Sequence, residues 1–239
     1  MSLEVKDLKK SYGGRVVVNG LSFHVAPGEI VGLLGPNGAG KTTAFYMTVG
    51  LISPNSGEVV FNGKNVTRQP VHKRAQMGMG YLAQEPSIFR HLTVAQNILC
   101  ILESLPISKA ECKIRLEQLL SELHLESLAH KQAVALSGGE RRRLEITRAL
   151  VTSPTLFMLD EPFANIDPIS VQEVKQLVQM LSEKNISILI TDHNAREIFS
   201  VVHRSYLIRE GKVLLSGSVD ELVNNEEARR TYLGFDFKM

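Results

Sequence analysis

The sequence predicts an α/β fold that combines a parallel core sheet, an antiparallel β subdomain and an inserted α-helical lobe. Residues 155–161 and 186–191 are apolar runs that end in polar residues, and they have no polar face, which is typical of parallel strands covered on both sides. Residues 3–8 and 16–25 are rich in β-branched side chains and flank a glycine pair, which favours an antiparallel pairing. Two consecutive helix patterns then interrupt the alternation of strands and helices.

Length and composition bound the class of protein. The chain has 239 residues, enough for one large domain or two lobes with a substantial core, and its formal net charge of +2 is too small to imply nucleic-acid binding. No apolar run approaches the roughly 20 residues of a membrane span, and the N-terminus lacks a signal region. We therefore expect a cytosolic protein unless a partner holds it at a membrane. Cys100 and Cys112 lack a metal-ligand spacing and are expected to be free, buried thiols.

A glycine-rich loop, residues 35–43, follows the strand pattern at residues 29–34 and fits the spacing G-x-x-x-x-G-K-S/T. Its glycines allow backbone N–H groups and the next helix start to face a polyphosphate. Lys41 is expected to reach the β and γ phosphates, and the Thr42 hydroxyl to bind Mg²⁺. A glycine-rich turn that binds nothing is the alternative, but the strand before the loop and the helix after it favour a phosphate site. The predicted binding residues of this phosphate loop are Gly35, Pro36, Asn37, Gly38, Ala39, Gly40, Lys41, Thr42 and Thr43.

The elements around the phosphate loop extend the antiparallel region. Residues 43–51 are expected to form a helix, and residues 58–61 a strand that leads into a hairpin turn at Asn62. Tyr12 precedes the first glycine pair, and on local sequence alone packing within a strand explains it as well as a binding role does.

Residues 79–84 have the pattern of a core strand that Glu85 and Pro86 then break. Thr93 and Ser108 begin two segments with capping-box spacing and apolar stripes at helical intervals. The sequence therefore predicts a single domain with two lobes. The core lobe comprises residues 1–86 and 154–239, and the helical lobe comprises residues 87–153.

The helical lobe ends in a second glycine-containing helix start. Ser137 and Glu140 have capping-box spacing, and Gly138 and Gly139 leave the amides of the first turn accessible, which is typical of anion binding. A plain capped helix explains the same pattern. We expect the three arginines at residues 141–143 to lie on a solvated helix face.

Polar residues follow two core strands. Asp160 and Glu161 end the run 155–161, and His193 follows the run 186–191. Because ligands of α/β sheets bind at the carboxyl ends of strands, we expect these side chains near the phosphate loop. The alternatives are that Asp160 and Glu161 are solvated loop residues and that His193 is structural, and the phosphate loop earlier in the chain disfavours both.

The C-terminal part is expected to contain a hairpin at residues 205–216 and a closing helix that begins after Ser218. The tail, residues 232–237, carries apolar side chains that either fold back on the body or contact a partner.

Taken in order, these motifs resemble those of the nucleotide-binding subunits of ABC transporters over nearly the whole chain. The matching residues are Tyr12, residues 35–43, Gln84, residues 136–140, residues 159–161, Asp167 and His193. The resemblance implies a P-loop NTPase core of the RecA-like type, ATP and Mg²⁺ as ligands, and ATP hydrolysis coupled to transport.

The resemblance also implies roles for individual side chains. Tyr12 would stack on adenine, Asp160 would hold the metal through water, and His193 would contact the γ-phosphate. Glu161 would position the attacking water. Gln84 would join the Mg²⁺ and water network and sense a membrane partner.

A homodimer follows from the resemblance, because Ser137 and Gly139 would close over the ATP that a second copy of the chain holds. Gly138 and Asp167 belong to the same predicted nucleotide-binding set. No nucleic-acid partner is expected.

Integral membrane subunits are the second predicted partner. We expect them to contact a docking segment that begins at Gln84 and ends at Leu92, with Ile88 and Phe89 as exposed apolar contacts. The protein would then be peripheral on the cytoplasmic face of the bacterial inner membrane.

Within the family, several stretches are most similar to the ATPases of lipopolysaccharide export transporters. These stretches are residues 81–90, 160–171, 191–194 and 233–237. The ATPases of branched-chain amino acid importers look similar and also carry a glutamate at the position of Glu140. A soluble ABC ATPase is a less favoured alternative, because this chain has neither paired cassettes nor a long coiled coil.

Overall fold

A computed structural model describes residues 1–85, 87–237 and 239 of the chain. Its strands are β1 (Leu3–Tyr12), β2 (Arg15–Val25), β3 (Ile30–Leu34), β4 (Ser56–Phe61), β5 (Lys64–Asn65), β6 (Met79–Leu82), β7 (Leu156–Asp160), β8 (Ser187–Thr191), β9 (Arg204–Arg209) and β10 (Lys212–Ser218). Its α-helices are α1 (Lys41–Val49), α2 (Val71–Gln76), α3 (Val94–Leu102), α4 (Lys109–Glu122), α5 (Gly138–Leu150), α6 (Pro168–Glu183), α7 (Ala195–Phe199) and α8 (Val219–Asn224). Short helical turns lie at Glu126–Leu128, Ala133–Ala135, Glu226–Ala228 and Arg229–Leu233.

The larger sheet of the described residues has six strands in the order β10-β9-β3-β8-β7-β6. All its pairings are parallel except that of β10 with β9. On β3, Ile30 and Leu34 join one hydrophobic cluster, whereas Val31 and Leu33 join another. Both faces are therefore covered, which confirms the predicted parallel sheet and explains its uniformly apolar strands. The carboxyl ends of β3, β6, β7 and β8 consequently meet at one edge.

The smaller sheet is antiparallel, and its strands in the described residues lie in the order β2-β1-β4-β5. Phe23 and Phe61 of this sheet share a hydrophobic cluster with Phe45 of α1 and Met158 of β7. The predicted antiparallel subdomain is thus confirmed. It holds α1, the helix after the phosphate loop, against the core sheet.

The helical insertion lies between β6 and β7 and contains α3, α4 and α5. The capping box of Thr93 forms in full, whereas at Ser108 only the bond from the Glu111 N–H to the serine hydroxyl forms. The apolar side chain of Ile98 in α3 belongs to the same cluster as residues of the core strands. The inserted helices are confirmed as part of the fold. The division into two lobes stays a prediction, and Pro86 at its boundary lies outside the described residues.

Several elements differ from the predicted ones. α1 begins at Lys41 rather than at residue 43, since Gly40 in a left-handed conformation ends the loop there. α2 and α7 have six and five residues, too few for a helical period to show in the sequence. Cys112 is buried as predicted, but Cys100 is only partly buried. In the described part of the chain, none of the helices has the length and hydropathy that a bilayer crossing requires.

Candidate functional site

The phosphate loop lies directly after β3, at the edge where the strands end. Gly40 is the N-cap of α1 with φ 99°, and a Cβ at this position would lie 2.6 Å from the carbonyl oxygen of Val17. No side chain in the described residues caps this helix start. The first-turn N–H groups of α1 are therefore available to an anion, as the loop motif predicts.

Lys41 folds back over this loop. Its Nζ donates to the carbonyl oxygens of Gly35 at 2.7 Å and Pro36 at 3.0 Å. Burial lowers the pKa of Lys41, and the nearby Glu161 carboxylate acts in the opposite direction. A bound phosphate would place further negative charge beside this partly desolvated ammonium group and stabilise its charged form. The exposed Thr42 side chain lies at the same helix start.

Asp160, the last residue of β7, is only 2% exposed. One carboxylate oxygen, Oδ1, accepts from the Thr191 hydroxyl at 2.7 Å, and the other, Oδ2, is buried without a hydrogen-bond partner among the described residues. Burial raises the pKa of this carboxyl group. A buried carboxylate oxygen without a partner fits a cation with its water shell.

This site lacks a cage of protein ligands. In the described residues, no three His, Cys, Asp or Glu side chains converge to hold a metal ion. Mg²⁺ suits such a site, because it keeps several waters and is bound by one or two protein oxygens together with substrate phosphates. Thr42 and Asp160 are the side chains that would hold it, and the participation of Gln84 in its water network stays a prediction.

Three predicted catalytic side chains converge beside Asp160. The Gln84 side-chain amide donates to Glu161 Oε2 at 2.8 Å, and the His193 Nδ1 lies 3.6 Å from the same oxygen. The Nδ1 atom of His193 is also 3.4 Å from the buried Asp192 carboxylate. These residues follow β6, β7 and β8, so the adjacent parallel strands explain why they meet.

Glu161 has a left-handed backbone conformation with φ 46°. Its N–H donates to the carbonyl oxygen of Thr191 at 2.8 Å. Such conformations are unfavourable for residues other than glycine, and they persist where the surrounding structure holds them, often at functional sites.

The start of α5 is a capped helix. The Ser137 hydroxyl accepts from the Glu140 N–H at 3.2 Å, and the Glu140 carboxylate accepts from the Ser137 N–H at 2.8 Å. That bond from Ser137 and the nearby Lys131 lower the pKa of Glu140. Ser137 and Gly138 are exposed, but Gly139 is buried, and a Cβ at Gly139 would overlap the Ser170 hydroxyl. Gly139 is thus required by the packing of α5 on α6, which the motif did not reveal.

Asp167 and Tyr12 were also predicted to bind nucleotide. Asp167 caps α6, since its carboxylate accepts from the N–H groups of Ile169 and Ser170, both at 3.1 Å. Tyr12 ends β1 and is 48% exposed, with Lys10 Nζ 5.3 Å from the ring centroid. Their contacts with nucleotide stay predictions.

The docking segment, residues 84–92, differs from its prediction at Ile88. Ile88 is 9% exposed and packs in the core, so its prediction as an exposed contact was wrong. Phe89 is 51% exposed, and the Arg148 guanidinium lies 4.8 Å from its ring centroid. The buried Asn97 side chain holds this turn by accepting from the Phe89 N–H at 2.9 Å. Pro86, also within the segment, lies outside the described residues.

Arg142 lies beside the site, and the sequence prediction placed it wrongly. Residues 141–143 were predicted to be a solvated face, but Arg142 is only 7% exposed. Its spacing from the buried residues Gly139 and Ile146 of the same helix was the signal that could have placed it inside.

The tail folds back on the body. The Phe237 and Phe199 rings pack edge to face with centroids 5.9 Å apart. The Tyr232 hydroxyl donates to the carbonyl oxygen of His193 at 3.5 Å, and burial raises the pKa of Tyr232 to about 12. Of the two alternatives for the tail, the structure shows the first, although Phe235 remains 66% exposed.

The fold and this edge define a P-loop nucleotide-binding protein, because an uncapped helix start, a lysine and a buried carboxylate converge where parallel strands end. The sequence profile of the ABC transporter family matches residues 18–164. The chain belongs to the ABC transporter family.

Individual relatives resemble it from end to end. The lipopolysaccharide export system ATP-binding protein LptB of Acidithiobacillus ferridurans is 53% identical over 237 residues, which cover 99% of this chain and 98% of that protein. The protein of the same name in Escherichia coli strain K12 is 44% identical, with coverage of 100% and 99%. A crystal structure of the ADP conformation of MJ1267, an ATP-binding cassette of an ABC transporter, is 26% identical with a TM-score of 0.86, and the match covers 97% of this chain and 98% of MJ1267.

Proposed function

We propose that this chain is the ATP-hydrolysing subunit of a transporter that moves lipopolysaccharide from the inner membrane toward the outer membrane. The observation that carries the ATPase part is the convergence of Lys41, Asp160 and Glu161 at one sheet edge. The cargo is supported by the end-to-end similarity to relatives named as ATP-binding proteins of lipopolysaccharide export.

Phosphoryl transfer to water depends on positioning and charge stabilisation. Lys41 and the N-terminus of α1 neutralise the negative charge of the β and γ phosphates. Thr42 and Asp160, with Gln84 through the water network, would hold Mg²⁺, which supplies further charge neutralisation when bound. Glu161 orients the attacking water, its Oε2 atom accepts a hydrogen bond from the Gln84 amide, and His193 Nδ1 lies 3.6 Å from the same oxygen.

Each ATP lies between two copies of the chain in this proposal. Ser137 and Gly138 are exposed at the start of α5, and Ile169 of α6 is 75% exposed. Ile169 precedes Ser170, which packs against Gly139 of α5. An accessible helix N-terminus beside an exposed apolar side chain suits a contact with a second copy and its nucleotide.

Membrane subunits bind the docking segment. Phe89 supplies an exposed aromatic side chain a few residues after Gln84, which itself contacts Glu161. A partner that moves this segment would therefore act on the catalytic glutamate, and the chain would sit on the cytoplasmic face of the inner membrane.

An amino acid importer was the other candidate cargo class, and it depended on Glu140. Since the Glu140 carboxylate completes a capping box in this chain, the residue has a structural use that does not depend on the cargo, and we retain the export function.

The test is co-purification from membranes, followed by reconstitution of the complex in liposomes that contain lipopolysaccharide. We expect Phe89→Ala to lose the membrane subunits while the purified chain keeps its ATPase activity. Leu51→Ala, which alters an apolar side chain of similar exposure outside the segment, should retain them. ATP-dependent release of lipopolysaccharide would support the cargo assignment, and a complex that instead moves amino acids would contradict it.

A further inference from the structure

The Arg142 side chain connects α5 to backbone carbonyl groups at the catalytic edge of the sheet. Its guanidinium donates to the carbonyl oxygens of Ala83 at 3.2 Å, Glu161 at 3.3 Å and Pro162 at 3.3 Å. It also donates to the Glu145 carboxylate at 2.9 Å. Two of these carbonyl groups belong to Glu161 itself and to the residue before Gln84.

The shape of the guanidinium explains why arginine stands here. Its planar fork of donors can serve several acceptors at once, whereas a lysine ammonium is a compact point charge on a flexible stem. Arg142 thus bridges the ends of β6 and β7 from the side of α5. The left-handed backbone of Glu161 needs such external support.

Glu145 keeps this cation neutralised. It is 4% exposed, and its Oε1 atom is buried with no hydrogen-bond partner in the part of the chain that the structure describes. Loss of Arg142 alone would leave a buried, unpaired carboxylate, so an informative substitution must change both residues.

We propose that Arg142 is a positioning residue that fixes the Glu161 backbone and the turn before Gln84 relative to α5, and that it thereby couples two ATP sites. This proposal rests on the proposed dimer, in which the start of α5 closes over the ATP of the second copy while Glu161 acts on the ATP of its own chain. Arg142 lies on α5 between these two contacts. Closure over one nucleotide is therefore transmitted to the glutamate that hydrolyses the other.

The experiment measures ATP hydrolysis against ATP concentration, together with equilibrium ATP binding, for the full-length chain. Arg142→Gln/Glu145→Gln should lower kcat by about 10- to 100-fold, change the Kd for ATP by less than about threefold, and lower the Hill coefficient toward one. Arg142→Lys, which keeps the buried charge pair, should give an intermediate kcat with the same reduced Hill coefficient. Arg143→Gln is the matched control, because the neighbouring Arg143 pairs with Glu173 at 3.6 Å, and it should keep wild-type values.

A merely structural role would lower ATP binding and the melting temperature together with kcat. That result in both Arg142 variants, or an unchanged kcat and Hill coefficient, would overturn the inference. If the double variant fails to fold, the Hill coefficient of Arg142→Lys tests the inference: a reduced value supports it, and the wild-type value overturns it. Failure of the premises is distinguishable from failure of this inference. If the chain were not an ATPase, the wild type would not hydrolyse ATP, and if it did not form the proposed dimer, the wild type would already have a Hill coefficient of one.

Discussion

The starts of α1 and α5 are both polar, glycine-containing helix N-termini, yet they differ in how their amides are satisfied. Gly40 begins α1 without a side-chain cap, whereas Ser137 and Glu140 cap α5 with a complete capping box. The phosphate side also keeps a partly desolvated Lys41 and an unpartnered Asp160 oxygen. The first site is thus incomplete without a ligand, and the second is stable without one.

This difference indicates a division of labour. Binding energy for nucleotide comes mainly from the α1 side, where orphan donors and a cation gain partners. In the proposed dimer, the α5 side adds a smaller contact and closes over nucleotide that is already bound. Substitutions on the two sides should therefore affect different quantities.

The largest effect is expected for Glu161→Gln. Loss of the carboxylate that orients water should lower hydrolysis by roughly 10²- to 10⁴-fold while ATP binding is kept and a closed dimer accumulates. Phosphate release and size-exclusion chromatography measure both. Glu140→Gln makes the same chemical change at the cap of α5 and should keep most of the activity, because glutamine also completes a capping box. Wild-type-like hydrolysis by Glu161→Gln would refute the assignment.

Lys41→Ala should weaken ATP binding by about 10- to 100-fold, because a charge-assisted contact with the phosphates is lost. Isothermal titration calorimetry checks this, with Lys131→Ala as the control. Lys131 pairs with Glu140 at 3.3 Å on the α5 side and should leave the affinity of the isolated chain unchanged. Equal affinities of Lys41→Ala and wild type would show that the phosphate loop is not the binding site.

Asp160→Asn should stabilise the nucleotide-free fold while it lowers Mg²⁺-dependent hydrolysis. Burial raises the pKa of Asp160 in the folded chain. Ionised Asp160 therefore destabilises the fold at pH values above this raised pKa, and the destabilisation is absent below the ordinary pKa of the unfolded chain, where the group is protonated in both states. Urea unfolding should show a gain of about 1 kcal/mol at neutral pH that disappears in acid. An equal or lower stability at neutral pH would contradict this.

Ser137→Ala should have the smallest effect on activity, and it should lower folding stability, whereas Asp160→Asn raises it. Loss of the cap costs about 1 kcal/mol of folding stability, while the ATP affinity of the isolated chain stays unchanged. Hydrolysis by the dimer should fall several-fold. A loss of affinity as large as that of Lys41→Ala would remove the distinction between the two helix starts.

The sequence was sufficient for the fold class and for the phosphate loop, because uniformly apolar strands and motif spacing are local signals. It also placed Asp160, Glu161 and His193 at one edge, since strand ends follow from the parallel topology. It could not show that Ile88 is buried. Helical spacing could have placed Arg142 inside, but it could not identify the three backbone carbonyl groups that hold the guanidinium there. Both depend on contacts between segments far apart in the chain, where a polar residue can be buried if its partners are supplied.

The central claim is that one ATP site uses Glu161 of one copy and Ser137 of the other. Glu161→Gln and Ser137→Ala chains, mixed before ATP is added, form hybrid dimers in which both substitutions fall in one site and the other site is intact. In a single-turnover measurement of phosphate release, the mixture should exceed the mean of the two variants measured separately. A mixture that only equals this mean would contradict the shared site, because each ATP would then be hydrolysed within a single chain.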